Sequence, residues 1–422
     1  MSSASGPLLL LVSTLSYHGR AFREAAARAG VALVVGTDRC HVLAEQGWDL
    51  DGMLTLDFRD AAHAVEQIAL AAERRPFVSI VATSERTAEI AALASRRLGL
   101  RHNPPRAAEA AANKATLRAR LSVAGVPTPR ARTFDLDGDP ARFAERVRFP
   151  CVLKPLLLSG SRGVIRADDR ASFVVAFERI ARLLRTPELL AKDPIASHRI
   201  LVEDFVPGVE VALEGLAEHG VIRALALFDK PDPLDGPFFE ETLYVTPSRL
   251  PQKVQDAIVA TAADAARAIG VVEGPVHAEL RIGPDGVPVV IEIAARSIGG
   301  LCGRTLRFGA GMSLEELVVR HAAGLPIPSL APQGQAAGVM MLPIPRGGVL
   351  ESVSGLEAAR ATPLVEDVVI DTVGRRLVPL PEGDFYLGFI FARGEDPASV
   401  EAALRAAHAA IELRILPELV GG

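Results

Sequence analysis

The sequence predicts a protein of mixed α/β and α+β class that begins with a doubly wound parallel α/β domain and ends with a small α+β domain. Residues 7–100 alternate short apolar strands with amphipathic helices, which is typical of a parallel sheet covered by helices. An Asn-Pro-Pro sequence at 103–105 interrupts this alternation. Beyond Ala323 the chain is rich in proline and then gives short strands and a last helix.

A chain of 422 residues is too long for one hydrophobic core. The two interruptions therefore predict domains at 1–102, 103–325 and 326–422, with a phosphate-loop subdomain at about 130–205. Residues 7–100 lack the GxGxxG sequence of a dinucleotide fold, which argues against a dehydrogenase. Strand ends at Thr37–Cys40 and Thr83–Arg86 could bind a ligand or cap the following helix.

Composition excludes several classes of partner. A net charge of −5 gives no general attraction to nucleic acid or to anionic membranes. No apolar run approaches the roughly 18 residues of a spanning helix, and the run Leu8–Val12 is too short for a signal-peptide core. Cys40, Cys151 and Cys302 lie far apart, which fits a reducing compartment. We therefore expect a soluble, cytoplasmic protein with no nucleic-acid or membrane partner.

Two acidic residues in a predicted hairpin at 276–294 form the first candidate site. If the hairpin closes at its Pro-Asp-Gly turn, Glu279 and Glu292 face each other, where like charges repel unless a cation lies between them. Arg296 and the glycine pair at 299–300 follow directly. One interpretation is that the two carboxylates bind a divalent metal ion and the arginine binds a phosphoryl group. A structural Glu–Arg pair beside an ordinary hairpin is the other.

A lysine inside an apolar strand marks a second candidate. Lys154 follows the apolar residues 150–153 and precedes a Gly/Ser loop at 159–163 that has another strand beyond it. Small residues with free backbone N–H groups beside a lysine favour phosphate binding over a plain hairpin turn. Lys114 lies in the middle of a predicted helix, Ala107–Val123, where a solvated surface charge is the ordinary interpretation.

These signals follow one another in a fixed order and together resemble the ATP-grasp superfamily. The segments that carry the resemblance are NKATLRARLSVAGVPTP, VLKPLLLSGSRGV, VEDFVPGVEV and HAELRI…IEIAARSIGG. More narrowly, the chain resembles the L-amino acid ligases and related carboxylate–amine ligases, with an arrangement close to biotin carboxylase, over about residues 7–415. The resemblance implies an ATP-grasp fold.

The resemblance also implies a role for each matching residue. Residues expected to bind ATP are Lys114, Lys154, Ser159, Gly160, Ser161, Gly163, Glu203, Phe205 through its backbone at the adenine, and Glu210 at the ribose. Glu279 and Glu292 would hold Mg²⁺, as two ions bridged by Glu292, with Mn²⁺ as an alternative. Arg296 and Lys154 would be catalytic. Substrate-binding residues would be Glu241, Tyr244, Arg296, Gly299 and Gly300.

Three departures from the family pattern concern the substrates and one metal ligand. Tyr244 stands where related ligases have histidine, Gly300 where an aromatic residue can close the pocket, and Ala294 where other branches have an asparagine ligand. The implied function is an ATP-dependent ligase that joins a carboxylate, an amino acid, to an amine through an acyl-phosphate. Its partners would be these small molecules and a second copy in a homodimer. The alternatives are a biotin carboxylase-like or ribonucleotide-type ligase and a nucleotide-binding regulatory protein without catalysis.

Overall fold

The structure is a computed structural model that describes residues 6–13, 18–38, 52–193, 195–370 and 373–417. Arg39 and Cys40, which belong to the candidate segment Thr37–Cys40, lie outside the described residues. No helix within the described residues combines the length and the apolar character needed to cross a lipid bilayer.

The first domain is a parallel four-stranded sheet with the strand order β3-β2-β1-β4. Its strands are β1 (Leu8–Leu11), β2 (Leu33–Thr37), β3 (Met53–Thr55) and β4 (Ser79–Ala82), and its helices are α1 (His18–Ala29), α2 (Ala61–Arg74) and α3 (Glu85–Leu98). The four leucines of β1 are fully buried and alternate between two core clusters, one with α1 and one with α2 and α3. The predicted doubly wound arrangement is confirmed.

The predicted helix Ala107–Val123 is wrong in one respect, because it is two helices, α4 (Pro105–Ala112) and α5 (Lys114–Val123). Asn113 has extended backbone angles, and its side chain accepts hydrogen bonds from the N–H groups of Ala115 at 3.0 Å and Thr116 at 3.2 Å. This is N-terminal capping of α5. Lys114 is therefore the first residue of a helix and is buried, not a solvated charge in mid-helix.

An antiparallel four-stranded sheet with the order β5-β8-β6-β7 forms the next layer. Its strands are β5 (Ala131–Asp135), β6 (Cys151–Pro155), β7 (Ile165–Ala167) and β8 (Arg199–Asp204), and its helices are α6 (Pro140–Ala144), α7 (Arg170–Leu184) and α8 (Pro187–Lys192). Phenylalanine side chains of β5, α6 and α7 pack together in its core. The Gly/Ser loop joins β6 to β7, so strands flank it as the sequence predicts.

The largest element is an antiparallel eight-stranded sheet with the order β13-β12-β9-β10-β11-β16-β20-β18. Its strands are β9 (Val209–Glu218), β10 (Val221–Lys230), β11 (Leu243–Thr246), β12 (Gly274–Ile282), β13 (Pro288–Ala294), β16 (Ala336–Leu342), β18 (Val365–Ile370) and β20 (Gly388–Gly394). The helix α9 (Gln252–Ile269) packs on β12 and β13 through a shared apolar cluster.

The remaining elements complete the central and C-terminal regions. They are β14 (Arg307–Phe308), β15 (Met312–Ser313), α10 (Leu314–Ala322), β17 (Gly348–Ser354), α11 (Leu356–Arg360), β19 (Arg376–Leu377), α12 (Pro397–Ala409) and β21 (Glu412–Leu416). Pairing of β11 with β16 joins the sheet of the central region to that of the C-terminal region. The predicted boundary near residue 326 thus falls between strands of one sheet, and the domain boundaries stay a prediction.

A substitution at Gly338 on β16 can test the pairing of β11 with β16. A Cβ atom at this position would lie 2.8 Å from Leu404 Cδ1 of α12 and 2.9 Å from the backbone oxygen of Tyr244 on β11. Because the backbone oxygen cannot move without breaking the sheet, we expect Gly338→Val to lower stability by roughly 1–3 kcal/mol. Thermal unfolding measures the effect. Gly334→Val is the matched control, since nothing lies within 4 Å of a Cβ there; equal melting temperatures for the two variants would contradict the join.

Candidate active site

A cavity of about 320 Å³ lies where the three sheets meet, and it collects the residues predicted from separate motifs. Every predicted site residue except Gly163 lines it. Gly163 has a φ of +73°, and its N–H donates to Pro381 O at 2.7 Å, so it turns the loop back towards β7 instead of facing the cavity. The predicted role of Gly163 in ATP binding stays a prediction.

The acidic hairpin has the predicted register. Glu279 on β12 pairs directly with Glu292 on β13, and the Gly286 N–H donates to Gly283 O at 2.9 Å in the turn. The two carboxylates contact different cations. Glu292 lies 3.8 Å from Lys114 Nζ, and Glu279 lies 3.4 Å from a lysine that the sequence did not single out, Lys230.

Lys230 is the most enclosed cation of the site, with a side chain 3% exposed. Its ammonium lies 2.7 Å from Glu210, 2.6 Å from Glu241 and 3.4 Å from Glu279. Burial alone would lower its pKa, but these carboxylates raise the pKa of Lys230 well above its usual value. Burial would raise the pKa of Glu241, and Lys230 outweighs this effect and lowers that pKa to about 2.

Glu210, Glu241 and Glu279 also form a group whose oxygens lie within 4.8 Å of one another, a spacing that could hold a metal ion. This set differs from the predicted pair Glu279–Glu292. Lys230 contacts all three members, and with Arg281 at Glu210 and His277 at Glu279 it offsets much of the negative charge of this group. The sequence does contain a signal for Lys230. This lysine ends a strand of alternating residues, and Glu241 follows it among apolar and aromatic residues.

A second buried ion cluster surrounds Glu203 on β8. Its carboxylate accepts from Arg118 Nε at 2.6 Å and lies 2.8 Å from Lys154 Nζ. Burial would raise the pKa of Glu203, but Arg118 and Lys154 lower it to about 2. Arg118 also donates to Ile291 O. The sequence analysis missed Arg118, although its spacing of four residues from Lys114 places both on one face of α5.

Phe205, which directly follows this strand, has two guanidinium groups close to its ring. Arg166 is 4.3 Å and Arg281 5.1 Å from its ring centroid. Its N–H donates to Pro150 O at 3.1 Å, so a backbone contact to adenine would fall to its carbonyl oxygen. Arg281 also lies 3.3 Å from Glu210, which therefore contacts two cations.

Arg296 has its ion-pair partner in the first domain. Its Nε donates to Glu85 at 2.9 Å and its Nη1 donates to Ser297 O at 2.7 Å. Burial would lower the pKa of Arg296, and Glu85 raises it above its usual range. The alternative interpretation of a Glu292–Arg296 pair is not what the structure shows. Ser84 caps α3 through a capping box, so the segment Thr83–Arg86 both caps a helix and lines the cavity.

A buried chain of side chains links the hairpin to the segment after Arg296. His277 lies 3.3 Å from Glu214 and 3.4 Å from Glu279, and Glu214 accepts from the Ile298 N–H at 3.1 Å. Burial would lower the pKa of His277, but the two carboxylates raise it to about 9. Burial raises the pKa of Glu214. His277 and Glu214 were not predicted, because each gains its role only from strand neighbours.

Aromatic residues from two domains close the opposite end of the cavity. Tyr244 donates to Glu241 at 2.8 Å, and Tyr386 of the C-terminal region donates to the same carboxylate at 3.1 Å. Gly300 has a φ of +59°, and a Cβ there would lie 3.2 Å from the Phe389 ring. The ring of Phe389 therefore occupies the space beside position 300.

The Gly/Ser loop is tied to the C-terminal region. Arg162 Nε donates to Glu382 O at 2.9 Å, and the Glu382 carboxylate accepts two hydrogen bonds from Arg179 of α7 at 2.6 and 2.9 Å. Ser161 has a φ of 56° in this loop, and Ser159, Gly160 and Ser161 face the cavity.

Glu203 gives a pH-dependent prediction. Its folded pKa of about 2 lies below the ordinary value of 4.5, so its stabilising effect is present above pH 4.5 and is lost as the pH falls towards 2. Glu203→Gln leaves Arg118 and Lys154 buried without their anion, at a cost of roughly 3–5 kcal/mol. We expect a large gap in urea midpoint between wild type and Glu203→Gln at pH 6, and a smaller gap at pH 3.

The control for this measurement is Glu145→Gln, which removes an exposed carboxylate 3.8 Å from Arg170 and should change stability little at either pH. A gap for Glu203→Gln that stays constant or widens on acidification would show that the Glu203 carboxylate is not held in its charged form by Arg118 and Lys154.

Comparison with known families gives three matches along the chain. Residues 23–102 match the ATP-grasp N-terminal domain, residues 147–305 the ATP-grasp domain, and residues 340–415 the L-amino acid ligase C-terminal domain 2. Two curated relatives are an alanine–anticapsin ligase of Bacillus subtilis, 28% identical over 56% of this chain and 52% of that protein, and a D-alanine–D-alanine ligase of Aromatoleum aromaticum, 30% identical over 43% and 54%. The chain spans about half the length of these two relatives.

A crystal structure of an L-amino acid ligase from Bacillus licheniformis matches over 99% of this chain and 100% of that chain, with a TM-score of 0.82 and 25% identity. The predicted ATP-grasp fold is confirmed by this match and by the family matches. The chain has the ATP-grasp fold, with an ATP-grasp domain at residues 147–305 and an L-amino acid ligase C-terminal domain 2 at residues 340–415.

Proposed function

We propose that this protein is an ATP-dependent carboxylate–amine ligase that forms an amide bond between amino acids through an acyl-phosphate and releases ADP and phosphate. The observation that carries the proposal is a single cavity in which two lysines, a facing pair of carboxylates and a buried arginine come together from separate motifs. The C-terminal match to L-amino acid ligases supports amide formation over the carboxylase alternative.

The nucleotide occupies the end of the cavity formed by α5, the Gly/Ser loop and β8. Lys114 Nζ donates to Leu158 O at 2.6 Å, which places its charge at the start of the loop. Lys154 lies deeper, beside Glu203. In this arrangement the lysines and the N–H groups of the loop neutralise phosphate oxygens, and Phe205 and Glu203 border the base. ATP is the nucleotide that the fold family uses, and the assignment of each residue is part of the proposal.

Glu279 and Glu292 fit a magnesium site. Carboxylate oxygens are the ligands that Mg²⁺ prefers, and the nearest lysines lie at 3.4 and 3.8 Å, farther than the 2.6 to 2.8 Å pairs around Lys230 and Glu203. Their side chains are 19% and 26% exposed, so both remain accessible from the cavity. When bound, Mg²⁺ or Mn²⁺ neutralises charge on the phosphoryl oxygens. Occupancy by two ions is part of the proposal, and Ala294 provides no side-chain ligand.

Arg296 acts at the acyl end of the cavity. A carboxylate becomes a competent acyl donor once it carries a phosphoryl group, because phosphate is a far better leaving group than an oxide. Attack by an amine places negative charge on the former carbonyl oxygen. A fixed guanidinium stabilises that charge, and Glu85 holds Arg296 in place for this task. The loop tied to Glu382 keeps water from the acyl-phosphate.

Glu241 is suited to hold the ammonium group of an amino acid. Its Oε1 accepts from Lys230 and Tyr244, while its Oε2 accepts from Tyr386 at 3.1 Å. A carboxylate oxygen has two lone pairs, so Oε2 has room for another donor. Tyr244, in the position where related ligases have histidine, keeps Glu241 oriented. The homodimer implied by the resemblance stays a prediction.

A screen of ADP release separates this proposal from its alternatives. The full-length protein with Mg-ATP is given pairs of amino acids, bicarbonate, or no second substrate. We expect substrate-dependent release with amino acids and only background release otherwise. Release that depends on bicarbonate would indicate carboxylase chemistry, and background release under every condition would indicate a nucleotide-binding protein without ligase activity.

Arg296 provides the sharpest mutational test. Because the arginine is proposed to act on charge that develops during the reaction, Arg296→Ala should keep most of the thermal shift produced by Mg-ADP and lose on the order of 10²–10³ in turnover. Arg296→Lys should recover only part, since an ammonium cannot reproduce the forked guanidinium. Melting temperature with and without Mg-ADP is measured beside product formation.

The double variant Arg296→Ala/Glu85→Gln is the control, because it removes the buried carboxylate that the single variant leaves unpaired. Turnover should stay low in the double variant even where stability returns. Near-normal turnover in either variant would contradict the catalytic role of Arg296.

A further inference from the structure

One completely buried carboxylate near the cavity has no task in the proposed reaction. Glu214 lies within β9, although a buried carboxylate is costly unless cations compensate it. Glu203 contacts an arginine and a lysine, and so does Glu210. In the described part of the chain, the charged partner of Glu214 is one histidine, His277, at 3.3 Å. Stability alone therefore does not explain why a carboxylate occupies this position.

The main-chain partner of Glu214 belongs to the segment that carries Arg296. The Ile298 N–H donates to both carboxylate oxygens of Glu214, at 3.1 and 3.3 Å. Residues 295–299 form neither helix nor strand, so their backbone lacks the regular hydrogen bonds of a sheet or a helix. Ile298 is buried, and an unpaired N–H there would be costly. Glu214 thus satisfies a buried donor in an irregular segment.

The same peptide group also binds the arginine. The N–H of Ile298 and the carbonyl of Ser297 belong to one planar peptide unit, and this carbonyl accepts from Arg296 Nη1 at 2.7 Å. Because the two groups share a plane, the direction in which Glu214 holds the N–H sets the direction of the carbonyl. Arg296 is therefore held on two sides, by this carbonyl and by Glu85, which accepts from its Nε at 2.9 Å.

His277 orients the carboxylate of Glu214 in turn. The two residues are direct cross-strand neighbours on β9 and β12. The Nδ1 atom of His277 lies 3.3 Å from Glu214, and its Nε2 atom lies 3.4 Å from Glu279. A chain of contacts thus runs from Glu279 through His277 and Glu214 to the peptide group at 297–298. It joins the proposed metal site to the acyl end of the cavity.

We propose that Glu214 is a positioning residue, which directs the Arg296 guanidinium through the peptide group at 297–298. The inference rests on the proposed ligase function, in which Arg296 stabilises charge that develops on the acyl oxygen. Such stabilisation requires a donor that is already aimed at the place where the charge appears. Glu214 does not line the cavity, so it acts through Arg296 and not on the substrates.

Two substitutions of nearly equal length separate this role from packing. Glu214→Met removes the acceptor for the Ile298 N–H, and Glu214→Gln keeps one oxygen for it. We expect Glu214→Met to lose on the order of 10² in turnover with little change in KM, because misplacing a catalytic group by about 1 Å can cost that much. Glu214→Gln should retain most of the turnover. Leu213→Ala, on the opposite face of β9, is the control, since it should lower the melting temperature without lowering the turnover of the folded protein.

A double variant tests whether the effect passes through Arg296. Adding Glu214→Met to Arg296→Ala should cost no further turnover, whereas two independent effects would multiply. A second measurement uses protein labelled with ¹⁵N-arginine, in which the NMR signal of the Arg296 Nε–H is identified by its loss in Arg296→Ala. This proton should exchange with solvent faster in Glu214→Met than in wild type, and at the wild-type rate in Leu213→Ala.

Unchanged exchange of the Arg296 Nε–H in Glu214→Met would overturn the proposal, and so would a double variant that loses the product of the two single losses. Should Glu214→Met not fold, Glu214→Ala removes the same acceptor and takes its place. The exchange measurement needs no product, so it decides whether Glu214 holds Arg296 even in a protein that joins no amino acids. Failure of this proposal is thereby distinguishable from failure of the ligase function.

Discussion

The acidic wall of the reaction cavity depends on the ion pairs of one buried lysine, Lys230. The strands β12, β9, β10 and β11 are neighbours in the eight-stranded sheet, and three of them carry or adjoin the carboxylates of Glu279, Glu210 and Glu241. Packed on one face without a cation, these groups would repel one another strongly in a poorly solvated place. The ammonium of Lys230 lies within 3.4 Å of all three. Since unpaired buried charges are costly, the sheet can present this acidic face only with the lysine in place.

The other charges of the site follow the same rule of local compensation. Glu203 is balanced by Arg118 and Lys154, and Arg296 by Glu85. Glu279 and Glu292 are held more loosely, because the contacts of Glu279 to Lys230 and His277 and of Glu292 to Lys114 are 3.4 to 3.8 Å long. The cavity therefore combines well-compensated walls with one pair of carboxylates that can take a further cation. This uneven compensation of charge explains why the metal site is proposed at Glu279 and Glu292.

Those features of the site that depend on neighbouring residues could be predicted from the sequence. Period-two alternation and the turn residues determined that Glu279 faces Glu292, and alternating strands and helices determined the parallel first domain. Contacts between distant segments were out of reach: Arg296 meets Glu85, Tyr386 meets Glu241, and residues 243–246 pair with 336–342. No periodicity encodes which strand pairs with which. The single helix predicted at 107–123 was wrong for another reason. Asparagine is tolerated within a helix but can also cap one, and Asn113 caps α5.

The central claim is that a carboxylate is activated by phosphorylation within this cavity. It is tested most directly by giving the protein Mg-ATP, an amine and an amino acid labelled with ¹⁸O in its carboxylate, and then measuring the isotope in the released phosphate by mass spectrometry. An acyl-phosphate route transfers one labelled oxygen to phosphate for each amide formed, and this is the result we predict. Amide formation with unlabelled phosphate would contradict the account.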